Sequence, residues 1–166
     1  MSFDSQQLRS ALGRFSTGVT VVTSEPEGFA PFGMTINSFS ALSLDPPLVL
    51  WSLQKNSGQA KAWDVASHFA VNVLSAQQQE TSQQYARSQQ QSLQPDSYEV
   101  GSKGIPVLRD CIASFECELD SRVDAGDHTI IIGRVLNIDE SSSEEPLIFY
   151  RGSYRALSQD EQANKT

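Results

Sequence analysis

Apolar and polar residues alternate over short stretches along much of this chain, and this period of two predicts strands. The clearest example is FECELD at 115–120, where every second side chain is charged. A strand with one buried face and one solvent-exposed face produces this pattern. The β-branched run VTVVT and the apolar runs LVLWSL and FAVNVL indicate further strands. Strands are predicted at 19–23, 32–37, 48–53, 69–74, 115–120, 128–138, 147–150 and 154–157.

Helices and turns separate these strands. In LRSALGRF, behind the capping sequence FDS, apolar residues recur three and four positions apart, which predicts an amphipathic N-terminal helix. Further helices are predicted at 58–66 and 77–88, turns at 25–28, 46–47 and 126–127, and loops at 88–102 and 141–145. Six to eight short strands joined by short turns, with two or three helices, favour an antiparallel barrel or sandwich.

The composition is that of one ordinary domain, predicted over 1–166. The 166 residues are 39% hydrophobic and 19% charged, which suffices for a single core. A formal charge of −8 with only 12 Lys and Arg argues against nucleic acid as a partner, because a phosphodiester backbone needs clustered cations. A small anionic ligand is compatible with this net charge, since backbone N–H groups and one or two cations can hold a phosphate.

Several common classes of site and segment are not indicated. The N-terminal sequence lacks a signal-peptide core, and no run approaches the ~20 apolar residues of a membrane span, so we expect a cytoplasmic protein without a membrane partner. Cys111 and Cys117 would lie too far apart on one strand for a disulfide, and Cys117 is expected in the core. The sequence has no Rossmann or P-loop glycine motif, no metal-binding HExxH and no GxSxG.

Five polar positions interrupt otherwise apolar strands and are the candidates for chemistry. They are MTINS at 34–38, Ser52 with the turn at 54–57, Asn72, His128 and YRGSY at 150–154. Each also has a structural explanation, such as a strand-ending Asx turn or a packed tyrosine. A buried polar group without a partner costs about 1–3 kcal/mol. These groups therefore either satisfy one another or bind a ligand, and spacing alone leaves both open.

The same segments resemble the short flavin reductases of two-component monooxygenase systems. GMTINSFSALSLDPPLVLWSL and GDHTIIIGRV form the most specific pair, and LRSALGRFSTGVTVVTS, FAVNVL, GIPVL, FECEL and PLIFYRGSY match in order. The resemblance implies the FMN-binding split-barrel fold, a mainly β Greek-key barrel with a few helices that forms a homodimer. It also implies NAD(P)H-dependent reduction of FMN or FAD, with the reduced flavin released to a partner monooxygenase.

The resemblance further implies roles for individual residues. His128, in the GDH motif, would be the catalytic residue and would orient the nicotinamide rather than transfer a proton. The strand at 34–38 would meet the pyrimidine edge of the flavin, since amide and hydroxyl groups match its donors and acceptors. Ser57 would hold the ribityl phosphate, with Lys55 or Lys61 as electrostatic support. The implied cofactor-binding residues are Met34, Thr35, Ile36, Asn37, Ser38, Trp51, Ser52, Leu53, Ser57, Lys61, Asn72, Arg87, Arg151 and Tyr154; no metal ligand is implied.

Alternatives remain on the residues alone. A tightly held flavin that carries electrons between proteins would use the same segments, as would a flavin-dependent reductase of another acceptor such as a corrinoid. His128 favours the nicotinamide-dependent reductase, because a carrier needs no nicotinamide contact. No arginine is uniquely suited to a 2′-phosphate, which favours NADH over NADPH. The stretch 77–104 departs from the family's usual pattern, so the choice between FMN and FAD stays open.

Overall fold

The computed structural model describes residues 2–87, 92–140 and 143–157. The last residue of the helix predicted at 77–88 and the first two residues of the loop predicted at 141–145 lie outside this range, as do 88–91 of the other loop. The helices are α1 (Ser5–Leu12), α2 (Ala60–Val65) and α3 (Gln79–Tyr85). The strands are β1 (Thr17–Gly18), β2 (Thr20–Ser24), β3 (Phe32–Ile36), β4 (Ser40–Leu44), β5 (Pro47–Gln54), β6 (His68–Val73), β7 (Tyr98–Val100), β8 (Pro106–Leu108), β9 (Ala113–Ala125), β10 (His128–Asp139), β11 (Ile148–Tyr150) and β12 (Ser153–Arg155).

A seven-stranded antiparallel sheet with the order β3-β2-β6-β9-β10-β5-β4 dominates the fold. A three-stranded sheet, β1-β11-β12, and the hairpin β7-β8 complete it. The predicted mainly β class is confirmed. Strands β3 and β4 lie at the two edges of the large sheet and do not pair with each other within the described chain. The barrel is therefore split rather than closed, in agreement with the split-barrel prediction.

The core lies against one face of this sheet and is built on aromatic contacts. Trp51 and Trp63 meet edge to face with ring centroids 4.7 Å apart, and Phe32 contacts Trp63 at 5.0 Å. Because side chains of a strand alternate between faces, the buried positions of β5 are Val49, Trp51 and Leu53, and Leu48, Leu50 and Ser52 are half-buried on the other face. The position of Trp51 in the core thus places Ser52 on the outer face.

Four strands, β1, β4, β7 and β8, were not predicted from the sequence, and the described chain contains twelve where six to eight were expected. β4 (SALSL) has no β-branched or aromatic residue and forms only as the edge partner of β5. β7 lies inside the predicted loop 88–102 and pairs with β8. The carboxylate of the buried Glu116 accepts hydrogen bonds from the backbone and hydroxyl of Ser102 in the connection between β7 and β8. The strands β1, β7 and β8 have only two or three residues each, and β4 lacks strand-forming residues, so the local pattern does not reveal them.

The predicted N-terminal helix is confirmed as α1. Asp4 accepts from the Gln7 N–H at 2.7 Å and the Gln7 side chain accepts from the Asp4 N–H at 2.9 Å, which forms a capping box. None of the residues of α1 is buried in the described structure, and Leu8 and Leu12 are 45% and 66% exposed. Among the described helices, none has the length and hydrophobicity needed to cross a membrane.

Candidate active site

A cavity of about 1160 Å³ opens where five parts of the chain converge. Its walls come from α1, the residues after β3, the middle of β5, the β9–β10 hairpin and the β11–β12 turn. Five of the residues predicted from the sequence line it together, although they are far apart along the chain. These five are Asn37, Ser38, Ser52, His128 and Arg151.

The polar side of the cavity is formed by Asn37, Ser38 and Ser52. The Ser52 backbone N–H donates to Ser38 Oγ at 3.0 Å, which ties the segment after β3 to β5. Ser52 also pairs across the sheet with Ile130 of β10, so the two side chains share the face that borders the cavity. The Asn37 amide has no hydrogen-bond partner in the described part of the chain. It therefore offers both a donor and an acceptor to a ligand.

His128 lies at the start of β10 and is fixed by its neighbours. Its Nδ1 lies 2.7 Å from Asp127 Oδ1. This hydrogen bond, and then the charge of His128, lower the pKa of the Asp127 carboxyl below its ordinary value. Lys55 holds the same hairpin, because its Nζ donates to the Gly126 carbonyl at 2.7 Å and forms an ion pair with Asp124. The anchored hairpin leaves Nε2 as the ring nitrogen of His128 that can meet a ligand.

Arg151 lies in the tight turn between β11 and β12. Its φ is +50° and that of the following Gly152 is +76°, and two successive positive φ values match the right-handed twist of a hairpin. The Arg151 N–H donates to the Gly13 carbonyl at 3.0 Å, which joins this turn to the end of α1. The apolar wall beside it includes Phe15 and Phe149.

The charges around the cavity differ from those of the whole chain. The chain has 20 Asp and Glu against 12 Lys and Arg. Among the described residues that line the cavity there are two arginines, Arg9 and Arg151, one histidine, and no carboxylate. A cavity with cations and no carboxylates attracts an anion. The adjoining aromatic and aliphatic walls suit a flat apolar ring.

Three of the predicted residues have side chains that belong to the core instead of the cavity. Trp51 and Asn72 are completely buried and Leu53 is 3% exposed. The Asn72 amide donates to Val21 O at 2.9 Å and accepts from the Leu108 N–H at 3.0 Å. Its hydrogen-bonding groups are thus used within the core, and the Asn72 amide is not free to bind a ligand. Neither Trp51 nor Leu53 lines the cavity.

The strand β3 contributes less than its sequence suggests. Thr35 Oγ1 donates to the Ser82 carbonyl at 2.7 Å, and the Tyr154 hydroxyl lies 2.8 Å from Ser82 Oγ. These hydroxyls connect β3, α3 and β12. Met34 and Ile36 pack against the core. The side chains that line the cavity therefore begin at Asn37, where β3 ends.

Three further predicted residues, Ser57, Lys61 and Arg87, do not line this cavity. Ser57 Oγ lies 3.8 Å from Met34 Sδ and accepts weakly from the Gln59 N–H. Lys61 and Arg87 are exposed. A phosphate role for these residues requires a ligand that extends beyond the cavity, and it remains a prediction.

The sequence did not point to the wall formed by α1. Gln6, Arg9, Ser10 and Gly13 line the cavity, and their spacing of three and four residues places them on one helical face. That spacing was the available signal. The apolar residues of the same helix indicate packing against a core, so the pattern alone does not show that the polar residues face a cavity.

Comparisons with known proteins find relatives that match most of this chain. A family model described as flavin reductase like domain matches residues 12–158. FMN reductase (NADH) SmoA of Agrobacterium fabrum is 46% identical over 156 residues, covering 93% of this chain and 87% of that protein. The flavin-dependent monooxygenase reductase subunit HsaB of Rhodococcus jostii is 37% identical over 159 residues, covering 96% and 81%. The NADH:FAD oxidoreductase SgcE6 of Streptomyces globisporus, solved in complex with NAD and FAD fragments, superposes with a TM-score of 0.85 at 34% identity, covering 95% of each chain.

Proposed function

Because this chain belongs to the family of flavin reductase-like domains, we propose that it is an NAD(P)H:flavin oxidoreductase. It takes hydride from a reduced nicotinamide, passes it to FMN or FAD, and supplies the reduced flavin to a partner monooxygenase. NADH is the favoured donor, as in the relative named FMN reductase (NADH). Reduced flavin that diffuses away requires no docking surface for the monooxygenase.

The cavity is the observation that carries this proposal. Its volume of about 1160 Å³ exceeds the ~300–1,000 Å³ typical of pockets for one small ligand, so it has room for a flavin ring with a nicotinamide against it. The polar side presents an amide and two hydroxyls to the edge of a ring, and the arginine side suits phosphate. The residues present therefore fit a flavin nucleotide and a nicotinamide nucleotide.

The protein's own contribution is binding and orientation. Bound flavin supplies the hydride-accepting chemistry, which belongs to the cofactor. Asn37 and Ser38 would hold the polar edge of the ring, and their hydrogen-bond donors would stabilise negative charge at that edge. His128, held by Asp127, orients the nicotinamide, and the surrounding apolar wall excludes water. Correct orientation of two reacting rings removes much of the entropic barrier.

We propose that two copies of the chain form a dimer. Large apolar side chains are exposed on α1, just after it and on the edge strand β4, and among them Phe15 is 78% and Leu44 96% exposed. Burial of such residues against a second copy removes their apolar surface from water. Sedimentation equilibrium at micromolar concentration tests this proposal, and a monomer would contradict it.

The first experiment is NADH oxidation by catalytic protein with excess FMN, then FAD, followed by the nicotinamide absorbance. Turnover should rise and saturate with added flavin. In His128→Ala, kcat/KM for NADH should fall about tenfold, a loss of about 1.4 kcal/mol, while the dissociation constant for flavin stays unchanged. The matched control is His68→Ala, because the His68 ring is hydrogen-bonded to the neighbouring Ser67 Oγ and does not line the cavity.

Two results would contradict the proposal. If the protein retains flavin through purification and added flavin changes nothing, it is an electron carrier or reduces another acceptor. If both histidine variants lose activity equally, His128 has no specific contact with the nicotinamide.

A further inference from the structure

We propose that Arg9 of α1 and Arg151 of the β11–β12 turn together bind the diphosphate group of a dinucleotide substrate. This inference rests on the proposed reductase function. Both NADH and FAD carry a diphosphate, whereas FMN carries a single phosphate. The two arginines therefore select for dinucleotides by a contact that the flavin ring itself does not make.

The geometry places the two arginines on either side of one glycine. A Cβ built on Gly13 would lie 3.4 Å from the Arg9 carbonyl oxygen and 3.8 Å from Arg151 Cα. The Arg151 N–H also donates to the Gly13 carbonyl at 3.0 Å. Both residues line the same cavity. Two guanidinium groups that start from neighbouring backbone positions can each bind one of two adjacent phosphoryl groups.

Neither guanidinium has a partner among the described residues, and the same holds for Arg14, Arg87 and Arg155, but Arg9 and Arg151 are the two that line the cavity. The other three arginines are paired. Arg109 pairs with Glu99, Arg134 pairs with Asp120, and Arg122 donates to backbone carbonyls at the end of α2. With no carboxylate among the described cavity-lining residues, nothing in this wall competes with a bound anion. The planar guanidinium matches the geometry of phosphate oxygens better than an ammonium does.

Arg9 also lies outside the part of the chain that the family model covers, which begins at residue 12. A structural explanation exists as well, because Arg9 lies in the last turn of α1, where a cation favours the helix dipole. That explanation predicts an effect on stability alone, so the two can be separated.

The test is calorimetric titration of the full-length protein with NADH, FAD and FMN. The variants are Arg9→Gln, Arg9→Lys and, as a matched control, Arg14→Gln, since Arg14 lies in the same segment but does not line the cavity. For Arg9→Gln, the dissociation constant of at least one dinucleotide should rise about tenfold, as expected for a lost charged hydrogen bond. FMN affinity should change less than about twofold. Arg9→Lys should recover only part of the affinity, and Arg14→Gln should bind as the wild type does.

The ligands distinguish the source of the diphosphate. If only the NADH affinity changes, the two arginines bind the diphosphate of NADH. If only the FAD affinity changes, they bind the diphosphate of FAD. Either result supports diphosphate binding by Arg9 and Arg151. Unchanged affinity for both dinucleotides, equal weakening of FMN, or a lowered melting temperature without any change in affinity would overturn it. Wild-type turnover of NADH with FMN, measured in parallel, tests the reductase function separately, because binding is evaluated whether or not turnover occurs.

Discussion

Replacement of Arg151 by glycine should stabilise the protein while weakening its ligand binding. Arg151 has a φ of +50°, in the left-handed region that costs a residue with a Cβ about 1–2 kcal/mol. Glycine avoids this cost but loses about 0.5–1 kcal/mol through the greater freedom of the unfolded chain. The backbone hydrogen bond to Gly13 is kept, and the guanidinium has no partner in the described chain. The expected net gain therefore lies between zero and about 1.5 kcal/mol.

A gain of this size is measurable for a domain of 166 residues, since 1 kcal/mol shifts Tm by about 2–4 °C at this length. Urea denaturation and thermal unfolding give the stability, and titration with NADH and FAD gives the affinity. The matched control is Arg155→Gly in β12, where the backbone is an ordinary strand and glycine should cost about 0.5–1 kcal/mol.

A variant that raises the stability of the protein while lowering its affinity for the ligand shows that the backbone is strained at a functional site. If Arg151→Gly destabilises as much as Arg155→Gly, the turn is not strained and the reasoning is wrong. If it stabilises without any loss of affinity, the turn is strained but Arg151 does not bind the ligand.

Two further predictions concern the core. Gly133→Ala should destabilise the protein by about 1–3 kcal/mol in urea unfolding, because a Cβ there would overlap the Phe69 ring. The control Gly18→Ala should be nearly neutral, because a Cβ there meets nothing within 4 Å. A neutral Gly133→Ala would contradict the close contact between Gly133 and Phe69. Burial raises the pKa of the Cys111 and Cys117 thiols from 9.0 to about 12, so both should resist alkylation at pH 8. The thiols ionise at a lower pH in the unfolded chain than in the folded one. Their contribution to the free energy of unfolding is therefore complete below pH 9 and is lost as the pH rises towards about 12. An unfolding free energy that does not change across that window would contradict their burial.

The amino-acid sequence determined the features that depend on neighbouring residues. The capping box of α1 and the β9–β10 turn follow from local propensity, and the structure agrees at both. The alternation at 115–120 correctly predicts a strand, but Glu116, expected on its solvent face, is buried. Five of the residues that the family motifs predicted for the site lie together at one cavity in the fold. Local pattern did not reveal β1, β4, β7 and β8, because three of them have only two or three residues and β4 has no β-branched or aromatic residue.

Only the tertiary structure decided which polar residues are available to a ligand. Asn37 and Asn72 look alike in sequence, as amides at or within apolar strands, yet Asn72 bonds to Val21 and Leu108 across the core while Asn37 borders the cavity. Those partners lie 51 and 36 residues from Asn72. A polar group is available to a ligand only if the fold supplies no partner of its own. This depends on long-range contacts, and for the same reason the arginine of α1 became a cavity residue only when the chain had folded.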